Sequence, residues 1–384
     1  MIKNLFVKKT LQGTIFVLFS YINRCIKHDK KVIMLYTNEG LRDNVEALLN
    51  YLIDEGYYNK YNIFCSANDY RSYMNKDAHV AYISNIKGIL MFFRAGYVFY
   101  CFGKIPIMPG IGQEVVQLWH GTPFKAADEA MLKGHSAKRL YYTHISSPSP
   151  FFAPISSKYF SFPLDKFIIC GHTRTDMLFK EWHYDLGDYD KLILWTPTFR
   201  QSERMGYKDT ENDNLLPVLK MDDLSRINKI LQEKNIKVIV KLHPMQNLED
   251  YHIVEMDYFK LMSHNEFVGR GWNLYKLAAQ SDALITDYSS FFYDYLLLNR
   301  PIGFTEDDVD EYTKGRGYAV DDPDSFKPGF RIKTDEDFLT FIDDLYYGID
   351  KYKEERIRVN NLANKYQDGK SCQRILAAVG ISKN

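Results

Sequence analysis

The sequence has no net charge: 49 Lys and Arg balance 49 Asp and Glu over 384 residues. No general polycationic surface exists for nucleic acid, so nucleic acid is not an expected partner and any phosphate chemistry must be local. There is no GxxxxGK[ST], no GxGxxG, no HExxH and no acidic DxD-type pair in a convincing position, which removes the familiar glycine-rich phosphate cradles and metal-hydrolase signatures. Phosphate charge would then be neutralised by protein groups alone, and no cofactor or metal is expected. Cysteine is sparse: Cys25, Cys65, Cys101, Cys170 and Cys372 are odd in number, widely spaced and form no CxxC pair, the pattern of reduced thiols in a cytoplasmic protein. Long hydrophobic runs are missing as well. The longest run in the N-terminal segment, Ile15 to Phe19, is far too short to span a bilayer, and no small-residue cleavage site of a secretory signal follows it.

What is present begins with length and rings. A chain of 384 residues exceeds the size at which single cores stop growing, which favours two domains. The 29 Tyr and 25 Phe suit core and interface alike, so they decide little; a homo-oligomer is among the partners left open. In residues 1–31, Lys3, Lys8, Lys9, Arg24, Lys27, Lys30 and Lys31 stand against Asp29 alone, a net charge of +6. Around the stretch LQGTIFVLFSYI this reads as a basic amphipathic segment, 1–30, lying on an anionic membrane surface. The rival reading is a packed helix with a solvated basic face.

From residue 31 short apolar runs alternate with helical periodicity, the signature of α/β folds. Strands are predicted at 31–40, 61–67, 79–84, 97–102, 114–119 and 142–149, and helices include 41–54. A second series follows the segment 161–172, with strands at 191–198, 236–243 and 282–287 and helices near 221–234 and 272–281. The stretch 201–216 reads as an exposed loop, and the tail from Asp335 to about Val379 as helical. The division expected is 31–165 for a first Rossmann-like, acceptor-side domain and 166–345 for a second that binds the donor. Residues 346–384 are expected to pack back on the first. Ligands of open α/β sheets bind beyond the carboxyl ends of strands, so those ends carry the functional reading.

Five stretches stand there. In WHGTPFK (119–125), His120 suits a general base near neutral pH and Gly121–Thr122–Pro123 supply a tight turn; a core histidine bonded to a carbonyl is the rival. In CGHTRTD (170–176), Arg174 offers a two-pronged phosphate grip and Asp176 a cap for the next helix. In WTPTFR (195–200), Thr196, Thr198 and Arg200 flank the turn fixed by Pro197, which turn punctuation alone also explains. In VKLHP (240–244), Lys241 and His243 share one face of an extended segment across Leu242. The strand of 282–287 runs into Tyr288–Ser289–Ser290, a helix start with free N–H groups suited to a pyrophosphate. Asp294 follows one turn later, where it can accept from a sugar hydroxyl; ordinary serine capping is the rival. Together, these ends imply a cleft for a diphosphate-containing substrate.

The ordered set QLWHGTPFK, CGHTRTD, TPTFR, KLHP and ITDYSSFFYDYLLLNRPIGF…D…Y…RGY resembles the CDP-glycerol glycerophosphotransferase family, the teichoic acid primases and polymerases and their capsule-cluster relatives, over roughly residues 95 to 330. Phe124 stands where leucine is usual and Thr173 where proline is usual. The resemblance implies a GT-B-like α/β fold of two doubly wound Rossmann-type domains facing a cleft. It implies His120 as the base that deprotonates the acceptor hydroxyl and His243 as its catalytic companion. It also implies CDP-glycerol binding by His120, Gly121, Thr122, Pro123, Phe124, Arg174, Pro197, Thr198, Lys241, Leu242, His243, Ser289, Ser290 and Asp294.

The implied reaction is attack by an acceptor hydroxyl on the glycerol-bearing phosphorus of CDP-glycerol with expulsion of CMP, in teichoic acid or capsular polysaccharide synthesis. Only about 30 residues precede the first strand, which favours a primase-like enzyme or one decorating a polysaccharide over a large polymerase. The expected acceptor is lipid-linked or polymeric, and the expected location is peripheral, at the cytoplasmic face of the membrane. A CDP-ribitol donor is the alternative within the same chemistry, and a nucleotide-sugar glycosyltransferase the alternative within the same fold.

Overall fold

The computed structural model describes residues 14–126, 140–198, 201–202, 207–208, 215–243, 256–315 and 317–383. It divides into two compact units, one of Met1–Gly121, Glu129–Asp176 and Asp368–Asn384, the other of Thr122–Asp128 and Met177–Gln367.

The first unit opens with α1 (Ile15–Cys25), β1 (Asp29–Thr37), α2 (Asp43–Asp54), β2 (Asn62–Ala67) and β3 (Val80–Ile83). It continues with α3 (Asn85–Arg94), β4 (Ala95–Tyr100), β5 (Glu114–Gln117), β6 (His144–Ser147), α4 (Phe152–Phe160) and β7 (Phe167–Ile169). Its seven strands pair in the order β3-β2-β1-β4-β5-β6-β7, and every pair is parallel. Strand β1 shows why the sheet is covered on both faces. Ile33 and Leu35 enter a core with Val45, Leu48 and Val116, while Val32 and Met34 enter another with Val98, Val115 and Phe160. An apolar run with alternate residues buried on opposite faces is what a doubly wound parallel strand requires.

The second unit contains β8 (Lys191–Thr196), a hairpin of β9 (Gln201–Ser202) and β10 (Tyr207–Lys208), α5 (Leu224–Glu233), β11 (Ile236–Lys241) and β12 (Phe259–Met262). Then come α6 (His264–Gly269), α7 (Leu274–Gln280), β13 (Ala283–Thr286), α8 (Phe291–Tyr295) and β14 (Ile302–Thr305). The unit ends with α9 (Val309–Gly315), β15 (Phe330–Ile332), α10 (Asp335–Tyr346) and α11 (Lys353–Ala363), and the last helix of the chain, α12 (Ser371–Ala378), belongs to the first unit. The second sheet runs β12-β11-β8-β13-β14-β15, again parallel throughout, over a core that includes Trp195, Val238, Ile285 and Phe341. The fold is thus a pair of parallel-sheet α/β units of GT-B-like kind.

Several sequence expectations shift. The boundary after 165 moves to Asp176, because the three residues of β7 pair with β6 and carry the first sheet past it. Strands β12, β14 and β15 were not foreseen. Leu215 and Leu216, at the end of the expected exposed loop 201–216, are buried in the second core. Of 346–384, α11 lies in the second unit, with Arg356 buried and bonded to Asp350 and Asn299, while the chain from Asp368 belongs to the first. Helix α1 packs Phe16 and Phe19 against the core of Val32 and Met34. It exposes Ile15, Leu18, Tyr21 and Ile22 and buries Ser20 and Asn23, whose side chains bond Met108 and Gln113.

Candidate functional site

In the first unit, β1, β4 and β5 are neighbours, so the loops after Thr37, Tyr100 and Gln117 emerge at one edge of the sheet. The loop after β5 carries His120. Phe102, from the loop after β4, stacks on its ring at 5.0 Å and 14°, and Trp119 leans on it at 4.0 Å. The residue keeps an exposed surface within this crowding. Loss of hydration pushes the imidazole below the ordinary histidine pKa; Asp43 opposes that shift, Arg174 adds to it and Glu39 opposes it. A histidine so placed is neutral at neutral pH, the form that accepts a proton.

Arg174 does not present the open fork the sequence suggested. Its side chain is buried, and Nη1 donates to both carboxylate oxygens of Asp43 at 2.8 and 2.9 Å and to the backbone oxygen of His120 at 2.7 Å. Thr173, the residue that replaces the usual proline, donates its hydroxyl to the backbone oxygen of Asn44 at 2.7 Å. Asp176 caps no adjacent helix. It accepts from the backbone N–H groups of Ser371 and Cys372, both at 2.8 Å, and so caps α12 at the far end of the sequence. Sequence reading missed Asp43 altogether, because its stretch shows only helical periodicity. The one local signal is a carboxylate at the head of a helix that starts just after a strand.

The WHGTPFK stretch crosses the division between units at Gly121 and Thr122. Gly121, Thr122 and Pro123 are buried. Phe124 is also buried, and makes edge contacts with Phe292 and Tyr293 at 5.2 and 5.7 Å and a tilted one with Tyr318 at 5.1 Å.

In the second unit, β11, β8 and β13 lie side by side, which brings Lys241–Leu242–His243, Thr196–Pro197–Thr198 and Ser289–Ser290 to the carboxyl edge of one sheet. Leu242 is buried and ties into the sheet through its N–H to Met262 (3.0 Å), while Lys241 is partly exposed and His243 exposed. The Thr198 turn hangs on Asp287. The Thr198 backbone N–H donates to one carboxylate oxygen at 2.7 Å, and the hydroxyl donates to the other. Ser289 and Ser290 are half-buried, and the Ser289 hydroxyl accepts from the Phe291 N–H at 3.3 Å.

Asp294 corrects an expectation: it is fully buried and accepts from the Tyr275 hydroxyl at 2.7 Å. It therefore faces the interior rather than a sugar. Helix α8 itself is five residues followed by a short tight turn, so its dipole is small. Arg200 lies outside the described residues.

Among solved structures, that of the wall teichoic acid polymerase TagF matches this chain with a TM-score of 0.70 and 18% identity, covering 98% of this chain and 95% of that one. At that identity the likeness concerns fold. The teichoic acid ribitol-phosphate primase of Bacillus spizizenii is 24% identical over 96% of this chain and 95% of its own length. The teichoic acid glycerol-phosphate primase of Bacillus subtilis is 26% identical over 91% and 92%. Residues 16–380 match the family described as CDP-Glycerol:Poly(glycerophosphate) glycerophosphotransferase, and the chain belongs to that family.

Proposed function

We propose that this protein transfers glycerol phosphate from CDP-glycerol to a hydroxyl of a lipid-linked or polysaccharide acceptor and releases CMP. The observation that carries the reading is His120, a histidine depressed in pKa yet accessible, at the carboxyl edge of the first sheet. Its neutral ring takes the acceptor proton as the acceptor oxygen bonds to the glycerol-bearing phosphorus. The bond from that phosphorus to the bridging oxygen breaks, and CMP leaves with the electron pair. In the second unit, Lys241, His243 and the N–H groups near Ser289 serve the pyrophosphate and the departing phosphate. Catalysis is then positioning and charge stabilisation, for which a single well-placed donor is worth about 3–4 kcal/mol. No metal is part of this reading.

The exposed apolar side chains of α1, with Arg24 and Lys27 exposed beside them, suit a peripheral seat on an anionic membrane, where a lipid-linked acceptor is found. A second reading, a CDP-ribitol donor, is favoured by the full-length likeness to a ribitol-phosphate primase. Incubation with CDP-glycerol, CDP-ribitol and UDP-sugars, following CMP or UDP release, separates the readings. The primary one fails if CDP-glycerol is neither bound nor turned over.

A further inference from the structure

We propose that Asp43 is a positioning residue for His120, holding the His120 turn through Arg174 and balancing the charge that Arg174 places beside the imidazole. The inference rests on the reading of His120 as the base.

The geometry is a clamp built by two successive residues at the head of α2. Asp43 receives Arg174 Nη1 on both carboxylate oxygens, and the same nitrogen donates to the His120 carbonyl. Next to it, the Asn44 amide accepts from the Arg174 backbone N–H at 3.0 Å and donates to the Trp119 carbonyl at 2.8 Å. Both carbonyls of the Trp119–His120 turn are thereby fixed. Two backbone conformations betray the constraint: Asp43 has φ 61° and Trp119 φ 57°, left-handed values that residues other than glycine hold only where their surroundings over-determine them. The Cys101 thiol, 3.0 Å from the Trp119 carbonyl, adds a further hold.

Among the described residues, the charged side chains that bear most on the imidazole are Asp43, Arg174 and Glu39, with Arg42 over the far ring of the stack, 4.7 Å from the Phe102 centroid. Arg42 is itself paired with Glu39. Asp43 and Arg174 act on the imidazole in opposite senses. Removing the Asp43 charge alone leaves the guanidinium opposing protonation of His120 and frees it to swing from the turn. Removing both charges restores the electrostatic balance but not the clamp. This separates positioning from charge, which a purely structural role for Asp43 would not do.

The test is a set of variants of the full chain, Asp43→Asn, Asp43→Glu and Asp43→Asn/Arg174→Gln, read in two ways. The first is the pH titration of the His120 ring by NMR in selectively labelled protein, which needs no substrate. In Asp43→Asn the midpoint is expected to fall; in the double variant it returns towards wild type. The second is steady-state turnover. Asp43→Asn is expected to lower kcat about ten- to a hundred-fold, the scale of a misplaced general base, with the donor KM changed less than about threefold and the acid limb displaced to lower pH. Asp43→Glu is expected to keep the wild-type limb.

An unmoved His120 midpoint in Asp43→Asn, or loss of kcat with no movement of the acid limb, overturns the proposal. If Asp43→Asn does not fold, a wild-type limb in Asp43→Glu supports it and a displaced one refutes it. If wild-type protein turns over no donor, the functional reading fails, while the ring titration still decides whether the clamp acts on His120.

Discussion

Replacing Asp176 by alanine should loosen the last helix of the chain and with it the support of α2. Asp176 is 8% exposed, and its carboxylate accepts from two backbone N–H groups, those of Ser371 and Cys372, at 2.8 Å. Around it Gly171 sits at φ +90°, where a Cβ would lie 2.5 Å from the Ser371 hydroxyl, so the two segments are in direct contact. Alanine leaves two buried donors without their acceptor, at about 1–3 kcal/mol each, and removes a helix cap worth about 0.5–2 kcal/mol. These costs overlap, and roughly 2–4 kcal/mol is expected, a large share of a stability of about 5–15 kcal/mol.

Asparagine keeps an acceptor oxygen and removes a charge whose burial pushes the Asp176 pKa up. A raised folded pKa gives stability that is fully present below the unfolded value and lost as pH rises through the folded one. Asp176→Asn offers one acceptor oxygen for two N–H donors bound to separate oxygens and turns an NH2 towards the second, so it should cost about 1–3 kcal/mol at neutral pH, less than alanine, with the wild type gaining on it as pH falls. Ile375 and Leu376 of α12 share the core of Val45, Leu48 and Leu49, so the loss should appear as faster hydrogen exchange at the amides of Ser371 and Cys372 and in α2, together with a lower first midpoint in urea. Wild-type exchange and midpoint in Asp176→Ala would refute the reasoning.

The acid limb of kcat/KM should lie below the ordinary histidine pKa of about 6.5, since His120 is depressed by loss of hydration; a limb above that value contradicts the assignment. Saturating EDTA should leave turnover within about twofold, less than 0.5 kcal/mol of barrier, and a loss restored by added divalent cation would show a metal requirement. Leu18 is 60% and Ile22 44% exposed, so changing both to Glu should cost about 1.5–3 kcal/mol of bilayer transfer, roughly half of two whole side chains. The readout is co-sedimentation with anionic vesicles, and unchanged binding would remove α1 from the membrane seat.

The strand ends were legible because buried parallel strands are short apolar runs closed by polar turn residues, and five such ends carried His, Arg, Lys or Ser. What escaped was tertiary. Asp43 heads an ordinary amphipathic helix, and only the pairing of β1 with β4, and of β4 with β5, brings it to His120. Arg174 and Asp294 read as ligand groups because charge beside a turn usually faces water; each is instead buried and bonded within the protein, to Asp43 and Tyr275. Strands β14 and β15 span four and three residues, too few for a period to declare itself.

The most direct test of the central claim is CMP release from CDP-glycerol by wild-type protein and by His120→Ala, with donor binding measured in parallel. The expected result is turnover by the wild type, none above background by the variant, and donor affinity preserved in both. A His120→Ala variant that releases CMP at a near wild-type rate would contradict it.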